Sequence, residues 1–355
     1  MRILLVDNSK GWGGAEEMLF SLATGLRNRG HYVVMFLDEG SETVTKFVRA
    51  DFNVWAFQRK SFRLLQSIIK MIRIARNEKF DLVHVHRNHD LLVGKIVGYF
   101  SGKLPLVLTQ HCRLCKSTFF VINLPDRIAA VSKYIADGMT ERFLKLDSKI
   151  NVVHNGIDPT EFEHLHEDFW CRWSELIGKG PLLGVVGYFY KNQEELIELL
   201  PFIKDEFPDV MLLIIGRDDS KRKFLEKKAE QLGVAESVLF TGSIPHAEMK
   251  HALAGLDLNL SAFRREGFGL SVLEGLAAGT PFLGYRSGGY PEIIEQGENG
   301  YLKDTFAELL QEILSLLKDK DRYSKMREQA KKSVSNKFTI DNMITNYENI
   351  YKSTN

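Results

Sequence analysis

Short apolar runs alternate with longer amphipathic stretches along most of this chain. In the first half, Ile3–Val6, Tyr32–Leu37, Val54–Phe57, Leu82–His86, Leu106–Thr109, Arg127–Val131 and Asn151–Val153 read as strands. Between them, Ala15–Arg29, Phe62–Arg76, Leu91–Phe100 and Lys133–Phe143 repeat apolar residues at helical spacing. Apolar strands separated by helices predict a parallel sheet covered on both faces. The pattern then restarts. Leu182–Val186, Val210–Ile215, Val238–Thr241, Leu256–Leu260, Pro281–Gly284 and Gly300–Leu302 form a second strand set with helices interleaved. The expected fold class is therefore α/β, with two doubly wound, Rossmann-like domains that meet near Asn155–Lys179. From Asp304 onward the pattern is helical, and Thr339–Tyr351 is a separate amphipathic stretch after a break at Asn336–Phe338. The expected divisions are 1–157, 158–337 and a terminal helix in 338–355.

A chain of 355 residues has room for two domains, each with its own core. Its 44% hydrophobic and 26% charged content is that of a soluble globular protein. No stretch approaches the 18 apolar residues of a membrane span, and the apolar start Met1–Val6 is too short for a signal peptide. Cys112, Cys115 and Cys171 are too few for a disulfide framework, which points to a reducing, cytoplasmic compartment. The net charge of +1 hides an asymmetry. Residues 1–157 carry 23 Lys/Arg and 14 Asp/Glu, a balance of +9, whereas residues 158–355 carry 24 and 32, a balance of −8. Such a split points to an anionic surface or acceptor beside the first half. Nucleic acid is not an expected partner, since there is no zinc-finger spacing, RNP-type aromatic pattern or basic tail.

The densest chemical signal is Glu266-Gly-Phe-Gly-Leu-Ser-Val-Leu-Glu274, with two carboxylates eight residues apart. Gly267 and Gly269 let a ligand approach the backbone. A helix over Leu270–Ala278 would aim free N–H groups and its positive dipole end, around Phe268, Leu270 and Ser271, at a phosphate. Glu274, a turn further on, would accept hydrogen bonds from neutral hydroxyls. A diphosphate flanked by two sugars fits that arrangement. Ser287-Gly-Gly-Tyr-Pro-Glu292 follows as a second glycine turn.

The carboxylate pair resembles the E-x7-E signature of retaining glycosyltransferases of family 4, the group 1 type with the GT-B fold. Gly-Gly-x-Pro-Glu strengthens the likeness. Further matches run in order along nearly the whole chain: Gly13-Gly14-Ala15-Glu16, His111, Asn155-Gly156-Ile157-Asp158 and Lys191. The resemblance implies transfer of a sugar from a UDP- or GDP-type nucleotide sugar to an acceptor hydroxyl, with retention of configuration. It implies a glycan or lipid-linked acceptor, a surface-glycan or lipopolysaccharide pathway, and no metal or other cofactor. It also implies a cleft between the domains, and a terminal helix that crosses back to the first of them. Lys191 would hold the leaving diphosphate, Glu266 the transferred sugar and Glu274 the ribose, with His111 near the reacting groups. Gly13 and Gly14, Gly216 and Arg217, and Ser243 and Ile244 would complete the donor site.

Some residues depart from that pattern or compete with it. Tyr188 stands where the family has an arginine, in a loop about two residues short, so Arg217, Arg264 or Arg265 would have to replace it. His84, His86, His89 and Asp90 imitate a metal site but read better as a cleft wall or acceptor contact. Cys112 and Cys115 form a CxxC without redox context and read as structural thiols. Asp218-Asp219 reads as a helix-capping pair. Arg59–Lys79 carries seven Lys/Arg against Glu78, with an apolar stripe at Leu65, Ile68, Ile69, Ile72 and Ala75. It is expected to pack on the sheet with its basic face in water; the competing expectation is peripheral docking on the inner face of an anionic membrane. Two rival functions stand beside the transferase: an isomerase of the nucleotide-sugar 2-epimerase type, and a catalytically weakened nucleotide-sugar-binding subunit.

Overall fold

The computed structural model describes residues 1–57, 62–114, 120–173, 180–217 and 221–354. Arg59, Cys115 and the pair Asp218-Asp219 lie outside the described residues. The chain divides into two compact units. Unit 1 is Met1–Gly156 with Ile340–Asn355, and unit 2 is Ile157–Thr339.

Unit 1 runs β1 (Arg2–Asp7), α1 (Gly14–Asn28), β2 (Tyr32–Asp38), α2 (Glu42–Arg49), β3 (Asn53–Phe57) and α3 (Phe62–Glu78). It continues through β4 (Leu82–Val85), α4 (Leu91–Phe100), β5 (Leu106–Gln110), β6 (Arg127–Ala130), α5 (Lys133–Thr140) and β7 (Ile150–Val152). All its strands are parallel, in the order β3-β2-β1-β4-β5-β6-β7. One sheet face packs Ile3, Leu5, Met35 and Val107 against Leu19 and Leu22 of α1. On the other, α4 approaches so closely that a Cβ on Gly94 would lie 2.7 Å from Val85 and 2.9 Å from Leu106. Burial on both faces is why the central strands β1, β2, β4 and β5 are mostly apolar.

Unit 2 repeats the plan with β8 (Leu182–Val186), α6 (Gln193–Lys204), β9 (Met211–Ile215), α7 (Arg222–Gln231), β10 (Val238–Gly242) and α8 (His246–Ala254). It closes with β11 (Leu258–Ser261), α9 (Leu270–Ala277), β12 (Phe282–Tyr285), β13 (Gly300–Lys303), α10 (Phe306–Lys318) and α11 (Lys320–Ser335). The parallel strand order is β10-β9-β8-β11-β12-β13. In both sheets the order reverses beside the first strand, between β1 and β4 and between β8 and β11. Open α/β sheets bind ligands outside the carboxyl ends of strands at such a reversal.

The last helix, α12 (Ile340–Lys352), belongs to unit 1. It lies close on α1, where a Cβ on Gly25 would overlap the Ile344 side chain. Its polar flank is held by Arg29 and His31, each 2.8 Å from the Glu348 carboxylate.

Two local expectations need correction. α2 was not foreseen, although Ser41 caps it by accepting a hydrogen bond from the Val44 N–H. On α3 the packed stripe is Ile68, Met71 and Ala75, while Leu65 and Ile69 turn outward at 56% and 44% exposure. Leu65 and Ile69 lie in one helical row and Ile68, Met71 and Ala75 in the next, and the second row is the more buried. No helix among the described residues is long and apolar enough to cross a membrane.

Candidate functional site

Because β8 and β11 are neighbours, the loops that leave their carboxyl ends meet although they are far apart in sequence. Lys191, after β8, donates through Nζ to Glu266 Oε2, after β11, at 2.6 Å, and each side chain is 19% exposed. The two line a small pocket with Ser261, Ser271 and Tyr290. The Tyr290 hydroxyl lies 2.7 Å from the Ser261 hydroxyl. Burial, and then the negative charge of Glu266, push the Tyr290 phenol well above its ordinary pKa, so it stays protonated.

Glycines set the position of the Glu266 turn. Gly288 has φ +62°, and a Cβ there would lie 2.6 Å from the Glu266 carbonyl oxygen. The Gly289 N–H donates to that carbonyl at 3.0 Å, and a Cβ on Gly289 would lie 2.7 Å from the Phe268 Cα. Backbone therefore packs on backbone, and the glycine turn supports the carboxylate loop. Gly269, at φ +112°, begins α9 with no side-chain cap, which leaves the helix's first N–H groups for a ligand. On α9, Glu274 is 3.3 Å from His246, and Asn259 anchors the helix by donating to the Ser271 carbonyl.

The loops after β8, β9 and β10 are also joined through glycines. Gly187 N–H donates to the Ile215 carbonyl, and Gly216 N–H to that of Gly242. A Cβ on Gly216 would lie 2.2 Å from the Gly187 carbonyl oxygen. Ser243 is exposed and Ile244 half-buried just beyond β10. Of the arginines that could replace the family's cation at Tyr188, Arg264 is already engaged. It grips the Glu195 carboxylate through both terminal nitrogens, at 2.6 and 2.9 Å, and stacks over Tyr285. Arg217 and Arg265 are exposed, without a hydrogen-bond or ion-pair partner among the described residues. Tyr188 is 40% exposed and lies parallel to Tyr190, ring centres 5.8 Å apart.

Unit 1 carries a second polar cluster at its own strand reversal. Gly13 caps α1 through its backbone with an extended φ of −158°, and neither Gly13 nor Gly14 has a positive φ. Gly13 leaves the start of α1 without a side-chain cap. Arg87, unremarked in the sequence, bridges the buried Asp7 and Glu16. His111 Nε2 lies 3.5 Å from His86 Nδ1, and the His86 ring lies 4.3 Å from that of His84 with the planes tilted by 39°. His84 is bound on one nitrogen by the Tyr351 hydroxyl and on the other by the Thr109 hydroxyl, both at 2.8 Å. With both nitrogens engaged it is no metal ligand in this state, and no group of three metal-type side chains converges among the described residues. Cys112 is exposed on the loop beyond β5 and not the structural thiol expected.

Residues 12–161 match the family described as Glycosyltransferase Family 4, and residues 173–333 match Glycosyl transferases group 1. An uncharacterized glycosyltransferase of Methanocaldococcus jannaschii is 31% identical over 320 residues, 81% of this chain and 79% of the relative. The N-acetyl-alpha-D-glucosaminyl L-malate synthase of Bacillus anthracis is 29% identical over 79% of this chain and 77% of its own. The Anabaena protein HepE, solved with UDP and glucose, superposes with a TM-score of 0.88 at 22% identity, covering 99% of this chain and 100% of that one. The chain belongs to the group 1, family 4 glycosyltransferases, and its two Rossmann-like units are the GT-B fold.

The three histidines make stability depend on pH. Burial, followed by neighbouring positive charge or imidazole, pushes His84 and His111 down to about 3 and His86 well below its ordinary 6.5. Between those values the unfolded chain binds protons that the folded chain does not. Their contribution is therefore complete above pH 6.5 and is lost as pH falls toward 3, at no more than about 1.4 kcal/mol per pH unit for each. The unfolding temperature should drop steadily between pH 6.5 and 4.5. A flat profile across that window would show the histidines to be ordinary.

Proposed function

We propose that this glycosyltransferase moves a sugar from a UDP- or GDP-type nucleotide sugar to an acceptor hydroxyl with retention of configuration. The observation that carries this reading is the Lys191–Glu266 pair at the β8/β11 reversal, beside the uncapped start of α9. Within this pair each charge neutralises the other. A bound diphosphate would take the Lys191 ammonium and the N–H groups at Gly269–Leu270, freeing Glu266 to accept hydrogen bonds from sugar hydroxyls. Glu274 would accept from the ribose, the Gly216–Arg217 and Ser243–Ile244 loops would complete the nucleotide's surroundings, and Arg217 or Arg265 would supply the cation absent at Tyr188. For unit 1 the family resemblance implies a donor-binding role for Gly13 and Gly14 and a catalytic role for His111.

In the reaction the anomeric carbon–oxygen bond to the diphosphate breaks, and the acceptor oxygen bonds to that carbon on the same face. The acceptor proton passes to the departing phosphate oxygen. Lys191 and the helix N–H groups stabilise the charge that develops there. The α-glucosaminyl product in the name of the Bacillus anthracis relative supports retention, since that is what retention yields from an α-linked donor. UDP in the HepE structure supports the donor class. This reading invokes no metal or other cofactor. A surface-glycan or lipopolysaccharide setting is the pathway the reading carries with it.

The membrane reading now has a specific face. Leu65 and Ile69 stand exposed on α3, the helix that also carries the exposed Lys70, Arg73 and Arg76. Apolar side chains among cations suit the headgroup boundary of an anionic bilayer on the cytoplasmic side, where a lipid-linked acceptor would be met.

Two outcomes follow. Lys191→Ala should lower turnover of the preferred nucleotide sugar by about 10²–10³-fold, and proton NMR of the product should show an α-anomer from an α-donor. A β-anomer, or undiminished turnover in the variant, would overturn the reading. Vesicles containing phosphatidylglycerol should sediment the protein, and Ile69→Glu with Arg73→Glu should abolish this; equal sedimentation with neutral vesicles would remove the membrane face.

A further inference from the structure

The least expected feature of unit 1 is a buried polar chain that joins its last helix to its histidines. Tyr347 and Tyr351 of α12 are fully buried in the core. The Tyr351 hydroxyl is 2.8 Å from His84 Nδ1. His84 Nε2 is 2.8 Å from the Thr109 hydroxyl, which lies 2.9 Å from that of Tyr347. His86 stands just past the end of β4, two residues beyond His84, and His111 just past the end of the neighbouring β5, two beyond Thr109. Strand periodicity places each pair on one side of the sheet. Ring contacts continue the chain: 4.3 Å from His84 to His86, and 5.7 Å from His86 to His111.

This arrangement does more than satisfy buried groups. A neutral imidazole has one donor nitrogen and one acceptor, and the hydroxyls on either side of His84 engage both and so lock the ring plane. Packed against that ring, His86 turns Nδ1 toward His111 and leaves its buried Nε2 without a partner. Apolar residues would have filled the same space at lower cost.

We infer that Tyr347 and Tyr351 are positioning residues: through His84 and Thr109 they fix the orientation of His86, and through it that of His111. The inference deepens the role proposed for His111 and rests on that reading for its catalytic consequence, but not for its geometry. It makes the terminal helix part of the reacting side of unit 1, although it comes 267 residues after His84 in the chain.

The test uses protein labelled with ¹⁵N-histidine, whose imidazole signals report tautomer and environment. Tyr351→Phe keeps the ring and removes the hydroxyl. It should move the signals of His84, His86 and His111 together, and Tyr347→Phe should do the same more weakly through Thr109. Movement of His84 alone would overturn the inference. Should Tyr351→Phe not fold, Thr109→Val breaks the same chain from β5 and is read in the same way.

Kinetics then use whichever of UDP-glucose, UDP-N-acetylglucosamine and GDP-mannose is turned over fastest. Tyr351→Phe should lower kcat on the order of ten- to a hundredfold with the donor KM within about twofold. In a His111→Asn background it should cause no further loss. An equal loss in both backgrounds would reduce the tyrosines to structural members and overturn the inference. If His111→Asn keeps full turnover while Tyr351→Phe still moves all three imidazoles, the role proposed for His111 fails and the positioning stands.

Discussion

Backbone packed against backbone at two glycines is the constraint on which the candidate donor site depends. Gly288 and Gly289 lie against the Glu266–Phe268 turn with no room for a Cβ, and Gly289 donates to the Glu266 carbonyl. That contact places the Glu266 carboxylate opposite Lys191 and puts Gly269 at the start of α9. A side chain at either glycine would push the turn away from its neighbour. The link between Gly-Gly-x-Pro-Glu and the carboxylate motif upstream is thus physical, since the second turn supports the first.

The two units solve one problem in different ways. Each brings polar side chains to the carboxyl ends of strands beside a reversal in strand order. In unit 2 the polar groups sit in loops, held by glycines and by the pairing of Lys191 with Glu266. In unit 1 they lie partly inside the core, where His84, Thr109, Tyr347 and Tyr351 satisfy one another. A loop site can exchange internal partners for a ligand at little cost. A buried network cannot, so it suits fixed orientation rather than exchange.

The strands were legible in the sequence because parallel sheets buried on both faces demand unbroken apolar runs. The short α2 was not, since only Thr43 and Phe47 of its eight residues are buried. The stripe on α3 was misplaced because two adjacent helical rows are both apolar and tertiary packing alone chooses between them. The carboxylate motif stood out because its parts are close in sequence. What escaped were contacts made by the fold: Lys191 with Glu266 across 75 residues, Arg264 with Glu195 across 69, and Tyr351 with His84 across 267. Arg264 illustrates the cost of that blindness, for it offered a cation to replace the one missing at Tyr188 until the structure showed it bound to Glu195 over Tyr285.

The central claim is that unit 2 holds a nucleoside diphosphate between Lys191, the start of α9 and Glu274. The most direct measurement is a thermal-shift panel of UDP, GDP, ADP and their common sugar conjugates, on the native chain and on Glu274→Ala. A ligand at a hundred times its dissociation constant adds about 2.7 kcal/mol of stability. The account predicts a clear rise with one nucleotide class, reduced or lost in the variant. No rise with any of them would contradict it.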